Sequence, residues 1–323
     1  MNRRSAIRVI TLSGAGFFLR GRLPAHPQNA TPQPPPQDYT IHAESRLVLL
    51  DVSVRDRSGR FAIGLEKQNF TVLEDGRKQE VTSFAGADVP VTVGILVDES
   101  YSMTAKRPDV LTAALTFIGA SNSRDEIFVL NFNDKVRAGL PPDIPFSDNI
   151  QQLGRALDRA DPEGTTRLYD AVLDGLRRVE LGHRGKKALL VISDGGDNAS
   201  GHTRAQMIGA VEDSIATIYT VGIFGPEDRD RDPHILRRIA HISGGEALFP
   251  KTVPDTIPVC RGIAKEIRSR YTIGYVPQPD PAKPGGGIRH IQVVVEAEGR
   301  GKLTAHTRES YRYGEDTEVR AER

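Results

Sequence analysis

Three oxygen-bearing side chains lie close together in the stretch VTVGILVDESYSM, residues 91 to 103. Asp98, Ser100 and Ser102 alternate with other residues directly after an apolar run that is typical of a buried strand. Carboxylate and hydroxyl oxygens are hard ligands that suit Mg²⁺. A phosphate-binding loop would carry glycines at this point, but neither G-x-G-x-x-G nor a Walker loop occurs in a useful position. A cation site is therefore the chemistry that this stretch favours.

Two later loops carry oxygen donors of the same kind. The segment DPEGTTRLYDA places Thr165 and Thr166 immediately before a predicted helix, and LLVISDGGDN ends an apolar run on Asp194. In an open parallel sheet, ligands bind outside the carboxyl ends of the strands. Asp98 and Asp194 each follow a strand directly, so their carboxylates are expected on the same rim of the sheet. Either threonine could supply the hydroxyl of the middle loop, because both follow Gly164.

The elements that position these loops alternate between apolar strands and amphipathic helices. Continuous apolar strands covered by helices predict a doubly wound, mostly parallel α/β sheet. The predicted strands are 91–97, 126–132, 187–193, 217–223 and 246–249, and a last helix is expected over about 254–269.

Segments with alternating apolar and polar residues flank this α/β block on both sides. RLVLLDVSVRDRSGR, beginning at residue 46, and IRHIQVVVEAEGRG, beginning at residue 288, both read as antiparallel strands separated by turns. We expect the two pieces to form one flanking antiparallel β-sandwich-like domain, with the α/β domain inserted between them. The predicted organisation comprises an export signal-like segment (1–25), a proline-rich linker (26–38), a first β part (39–88), the α/β domain (89–270), a second β part (271–313) and a charged tail (314–323).

The N-terminus resembles an export signal. Arg3 and Arg4 precede a short apolar stretch from Ile10 to Leu19, in a layout loosely similar to a twin-arginine signal. We expect an exported protein, periplasmic or extracellular. No stretch approaches the roughly 20 apolar residues that cross a bilayer, so no membrane span is expected beyond an uncleaved signal.

Composition excludes further classes of protein. The formal net charge of +1 over 323 residues does not indicate a nucleic-acid binder. Cys260 is the single cysteine, so an internal disulfide is excluded. Cys260, Ile263, Ala264 and Ile267 share one helical face, which predicts a buried and inert thiol. The eight histidines show no zinc-ligand spacing, and the sequence contains no G-x-S-x-G nucleophile motif.

The set D-x-S-x-S, followed by a threonine in GTTRLYDA and an aspartate in VISDG, resembles the metal-ion-dependent adhesion site of von Willebrand factor type A domains. The resemblance covers roughly residues 89–256. It implies that Mg²⁺, with Mn²⁺ or Ca²⁺ as alternatives, is held by Asp98, Ser100, Ser102, Thr166 and Asp194. The flanking segments, including YTIGYVPQ, look like those of exported bacterial von Willebrand factor A-related proteins known largely from Acidobacteria.

That resemblance implies a non-enzymatic, Mg²⁺-dependent module that binds a protein presenting an acidic side chain. Tyr101 and Asp197 lie on the same rim and are weaker candidates for contacting this partner. Three alternatives stay open from sequence: a subunit of a metal-handling or ATP-driven assembly machine, a scaffold whose metal site is unused, and a magnesium-dependent phosphoryl-transfer enzyme with Asp98 as nucleophile. Phosphoryl transfer would need a second acid as proton donor near Asp98, but Ser100 occupies the position two residues along.

Overall fold

The computed structural model describes residues 47–157, 163–225, 230–278 and 287–314. The export signal-like segment and the proline-rich linker lie outside the described residues, as do the first residues of the β part and all of the charged tail except Gly314. Within the described part of the chain, no helix combines the length and the apolar character needed to cross a membrane.

A six-stranded sheet forms the centre of the molecule. Its strands are β5 (Val91–Asp98), β6 (Glu126–Phe132), β7 (Val136–Ala138), β8 (Lys186–Ser193), β9 (Thr217–Gly222) and β10 (Ala247–Leu248). They are ordered β10-β9-β8-β5-β6-β7, and all neighbours are parallel except the antiparallel pair β6 and β7. The predicted α/β fold class is thus confirmed, with β7 as an added edge strand.

Helices cover this sheet on both faces. The described helices are α1 (Arg107–Ala120), α2 (Ile150–Leu157), α3 (Leu168–Glu180), α4 (Arg204–Asp213), α5 (Pro233–Ser243) and α6 (Val253–Ser269). Successive residues of a strand point to opposite faces, and every residue of β5 and of β8 is buried, so both faces are packed. The expected buried face of α6 is also present, because Cys260, Ile263, Ala264 and Ile267 all belong to the α/β core.

Two four-stranded antiparallel sheets form the flanking sandwich. Their strands are β1 (Val48–Arg55), β2 (Phe70–Glu74), β3 (Arg77–Gln79), β4 (Val81–Ala85), β11 (Tyr271–Tyr275), β12 (Gly287–Val295), β13 (Thr304–His306) and β14 (Ser310–Tyr313). The orders are β13-β1-β11-β4 and β14-β12-β2-β3, so each sheet contains strands from before and after the α/β block. Residues of both sheets share a second apolar core.

The strand order fixes where a ligand can enter. From β5 the chain proceeds to β6 on one side and later returns to β8 on the other, so the connections diverge between β5 and β8. In doubly wound sheets the crevice at this switch point, outside the carboxyl ends of the strands, is where ligands bind. Asp98 ends β5 and Asp194 directly follows β8, which places both carboxylates at that crevice.

Candidate metal-binding site

The first loop fixes the carboxylate of Asp98 beneath the crevice. Its Oδ1 accepts a hydrogen bond from the Ser100 backbone N–H at 2.9 Å, and its Oδ2 accepts one from the Ser193 hydroxyl at 2.6 Å. The side chain is fully buried. The end of β8 therefore helps to orient the aspartate that ends β5.

Burial has a clear electrostatic consequence for Asp98. Loss of solvent, followed by repulsion from Asp194, raises the pKa of the Asp98 carboxyl to about 7. Hydrogen bonds from Ser100 and Ser193 act in the opposite direction but do not compensate. Two buried carboxylates thus lie close together, and a cation placed beside them would stabilise their ionised forms.

The third loop brings Asp194 to the two serines of the first loop. Asp194 Oδ2 accepts a hydrogen bond from the Ser102 hydroxyl at 2.7 Å, and the hydroxyls of Ser100 and Ser102 are 3.2 Å apart. Asp194 Oδ1 accepts from the Gly196 N–H at 3.1 Å. Three of the predicted donors are therefore in direct contact, although 92 residues separate Ser102 from Asp194.

Backbone hydrogen bonds attach the middle loop to the first. The Glu163 N–H donates to the Glu99 carbonyl at 2.9 Å, and the Tyr101 N–H donates to the Gly164 carbonyl at 3.1 Å. This pairing places Thr165 and Thr166 at the wall of the crevice. Thr166 is buried and Thr165 is exposed, so burial distinguishes the two threonines that the sequence left as alternatives.

Asp197 and Tyr101 occupy different surroundings. The Asp197 carboxylate accepts a hydrogen bond from the Tyr169 N–H at 2.9 Å, in the first turn of α3, and the Ser200 hydroxyl accepts one from the Asp170 N–H at 3.1 Å. The β8–α4 loop, rather than Thr166, thus caps the start of α3. Tyr101 points outward with 77% of its side chain exposed.

These loops enclose a cavity of about 760 Å³. Ser100, Ser102, Thr166 and Asp194 line it, whereas Asp98 lies behind them. Lys106 also lines the cavity, and its Nζ lies 3.2 Å from Asp194 Oδ2. Lys106 is not among the residues predicted from the sequence. Its place four residues after Ser102, on the segment that connects the first loop to α1, was the signal that could have found it.

The donor set fits a divalent cation of the Mg²⁺ type. Ligand bonds of ~2.0–2.1 Å in an octahedron put neighbouring oxygens roughly 3 Å apart. The Ser100–Ser102 and Ser102–Asp194 oxygen separations of 3.2 and 2.7 Å already have that spacing. The described residues contain no group of three or more His, Cys, Asp and Glu side chains suited to a metal. Three of the five predicted oxygen donors, those of Ser100, Ser102 and Thr166, are hydroxyls.

The chain belongs to the von Willebrand factor type A domain family. The sequence model of that family matches residues 92–257, about half of the chain, and the match includes all five predicted donors. No curated protein matches the sequence significantly.

Comparison with solved structures finds matches at low sequence identity. A von Willebrand factor type A protein from Catenulispora acidiphila superposes with a TM-score of 0.50 and 16% identity, over 85% of this chain and 76% of that one. For proximal thread matrix protein 1 from the mussel byssus, the TM-score is 0.45 and the identity 14%, over 55% of this chain and 48% of that one. For a conserved hypothetical protein, BatB from Bacteroides thetaiotaomicron, the TM-score is 0.44 and the identity 16%, over 55% of this chain and 100% of that one.

Proposed function

We propose that this protein is a non-enzymatic, Mg²⁺-dependent protein-binding module whose ligand presents an acidic side chain. The observation that supports this proposal most directly is the contact of Ser100, Ser102 and Asp194 at the switch point, with the Asp98 carboxylate directly behind them. Family membership supports the coarser statement that the domain is of an interaction or adhesion type.

The proposed donors are Asp98, Ser100, Ser102, Thr166 and Asp194, with Mn²⁺ or Ca²⁺ as alternatives to Mg²⁺. When bound, the ion would supply Lewis acidity and a positive charge toward the cavity, which attract a carboxylate from another protein. The serine and threonine hydroxyls are neutral, and Asp98 is screened from the cavity by its neighbours. The side chains on the cavity surface therefore neutralise only part of a dication, and this favours an anionic ligand.

The same geometry argues against catalysis at this site. A phosphoryl-transfer nucleophile must reach its substrate, but Asp98 is fully buried and is held by Ser100 and Ser193. The described residues that line the cavity include no histidine to act as a base for Ser100 or Ser102. We therefore propose binding rather than bond cleavage.

Tyr101 is the proposed contact for the partner outside the metal. It is the exposed aromatic side chain on the rim, and aromatic residues are enriched in protein interfaces. Asp197, in contrast, is engaged with the start of α3. We assign Asp197 an indirect part, in which it holds the β8–α4 loop against the middle loop.

We further propose that the protein is exported and belongs with the exported bacterial von Willebrand factor A-related proteins known largely from Acidobacteria. Support comes from the arginine pair and short apolar stretch at the N-terminus, and from the flanking β segments. Fusion to a reporter that is active only outside the cytoplasm tests export, and an inactive fusion would refute it.

Thermal unfolding of the full chain, with Mg²⁺ or with chelator, tests the metal site. At a Mg²⁺ concentration about 100 times Kd, we expect the midpoint to rise by roughly 5–10 °C. The double variant Ser100→Ala with Ser102→Ala should lose this rise, because it removes two neutral ligands without changing any charge. Ser123→Ala, at an exposed position, is the matched control. Equal midpoints for the parent with and without Mg²⁺ would overturn the proposal.

A further inference from the structure

We propose that Lys106 is an internal counter-cation that weakens Mg²⁺ binding on its own and makes it strongly dependent on an anionic ligand. This inference rests on the proposed function and concerns the same site. Lys106 is 6% exposed, and its Nζ lies 3.2 Å from Asp194 Oδ2 and 3.3 Å from the Ile223 carbonyl oxygen. A buried ammonium group therefore already contacts one of the proposed metal ligands.

The fold holds this lysine in place. A 3₁₀ helix over Tyr101–Lys106 connects the first loop to α1, so the segment that presents Ser102 also presents Lys106. The Ile223 carbonyl, just after β9, accepts a second hydrogen bond from the Lys106 ammonium. Asp194 thus accepts hydrogen bonds on one oxygen from both Ser102 and Lys106.

The charge balance of the site follows from these contacts. The Lys106 ammonium places one positive charge beside the carboxylates of Asp98 and Asp194, which carry −2 when both are ionised. A bound dication therefore meets one more positive charge than it would if position 106 were neutral. Glu99 does not alter the balance, because Arg107 forms an ion pair with it at 3.1 Å. Asp230 lies on the exposed rim, where solvent and salt screen its charge.

The positive charge of Lys106 has two linked effects. Repulsion between Lys106 and the dication lowers the affinity for metal, since charges a few ångströms apart in a buried site interact strongly. The same positive charge attracts a ligand carboxylate once metal is bound. Because coupling between two ligands is reciprocal, the carboxylate must then tighten metal binding by the factor by which metal tightens carboxylate binding.

Calorimetric titration of the metal-free full chain with Mg²⁺, with and without acetate as a minimal carboxylate, tests this role at one fixed pH. Lys106→Gln removes the charge but keeps a donor for Asp194. It should bind Mg²⁺ at least tenfold more tightly than the parent without acetate, and acetate should tighten its Mg²⁺ binding less. Lys106→Arg keeps the charge and should bind like the parent. Lys78→Gln makes the same charge change on an exposed strand of the sandwich and should also match the parent.

The outcomes separate this inference from the proposed function. Parent-like or weaker Mg²⁺ binding by a folded Lys106→Gln variant, beside a parent that binds, would overturn the role of Lys106 alone. If Lys106→Gln does not fold, Lys106→Met takes its place under the same criterion. Absence of Mg²⁺ binding in the parent but not in Lys106→Gln would support the counter-cation and overturn the proposed function. Absence of binding in every variant would overturn both.

Discussion

At the scale of single residues, Asp98 and Asp194 follow neighbouring parallel strands but have different surroundings. Asp98 is buried behind the cavity and receives hydrogen bonds from Ser100 and Ser193. Asp194 lines the cavity and receives them from Ser102 and Lys106. Asp98 is thus suited to orienting the first loop, and Asp194 to facing a ligand.

The sequence could place Asp98, Ser100, Ser102, Thr166 and Asp194 at one rim of the sheet, because strand ends and loop spacing are local features. It could not separate the two aspartates, since both read as a carboxylate that ends an apolar run. The two aspartates differ in their hydrogen-bond donors. Ser193, at the end of the adjacent strand β8, donates to Asp98, and Lys106, at the end of the 3₁₀ helix after the first loop, donates to Asp194. Both contacts join residues about 90 positions apart, and periodicity does not encode such contacts.

The raised pKa of Asp98 makes a prediction about stability without metal. Because the folded-state pKa of about 7 lies above the unfolded value of 3.8, the folded chain keeps a proton that the unfolded chain has released. The free energy of unfolding therefore falls as pH rises between these values and is level above them. The Asp98→Asn variant has no group at this position that titrates. Between about pH 5 and about pH 8 in chelator, the free energy of unfolding of the parent should fall by roughly 3 kcal/mol more than that of Asp98→Asn.

Urea unfolding of both proteins at the two pH values measures this difference. All other titrating groups are shared, so those that do not interact with Asp98 cancel when the pH dependences are subtracted. Parallel pH dependences for the parent and Asp98→Asn would show that Asp98 does not keep its proton in the folded chain.

At the scale of elements, the sheet was more predictable than its edges and helix faces. The long parallel strands were predicted because strands buried on both faces are apolar throughout. β7 was not, since it is three residues long, exposed at the edge and has no apolar periodicity. Apolar spacing in the sequence also predicts that Leu115, Ile150 and Ile215 lie on buried helix faces, and this prediction is wrong, because they are 43%, 56% and 44% exposed. In α1 the residues Ala113 and Phe117 face the core instead of Leu115, and Ile215 lies beyond the end of α4.

Gly195 controls the shape of the third loop. Its φ of +85° lies in the left-handed region, and a Cβ added there would be 2.3 Å from the Asp232 carbonyl oxygen. The backbone N–H of Asp232 also donates a hydrogen bond to the Asp194 carbonyl at 3.1 Å, so the start of α5 cannot move away without losing this bond. Gly195 is therefore required where the loop after β8 turns against α5.

Gly195→Ala should destabilise the chain by about 2 kcal/mol or more, from left-handed strain together with the backbone clash. Gly209→Ala is the matched control, because a Cβ in that position of α4 meets no atom within 4 Å. It should leave stability unchanged or raise it by up to about 1 kcal/mol. Denaturant unfolding measures both changes. A neutral Gly195→Ala would mean that the loop after β8 relaxes freely.

At the scale of the whole molecule, strands from distant parts of the chain interleave in the sandwich. β11 lies between β1 and β4, with Val48 opposite Tyr275, and β12 lies between β14 and β2. Alternating residues predicted that these segments are half-buried strands in one sandwich-like unit. They could not predict the partners, since an alternating pattern specifies which face is buried and not which strand lies alongside.

Arg270 connects this sandwich to the α/β sheet. It is 1% exposed and donates to the Tyr219 hydroxyl at 2.7 Å, the Gly244 carbonyl at 2.7 Å, the Asp51 carbonyl at 3.0 Å and the Glu266 carboxylate at 2.9 Å. Asp51 belongs to β1 and Tyr219 to β9. One buried guanidinium thus joins both parts of the molecule just before the chain enters β11.

Arg270→Met should therefore lower the free energy of unfolding by about 3–5 kcal/mol, because it removes one partner of a buried ion pair and leaves several acceptors without a donor. Among the described residues, Arg55, at 2.8 Å, would remain as an ion-pair partner of Glu266. Arg268→Met is the matched control, since Arg268 pairs with Asp88 at the surface and should cost at most about 1 kcal/mol. Denaturant unfolding followed by circular dichroism gives both values. Equal losses for the two variants would show that the two parts of the molecule are held together by apolar packing and not by this arginine.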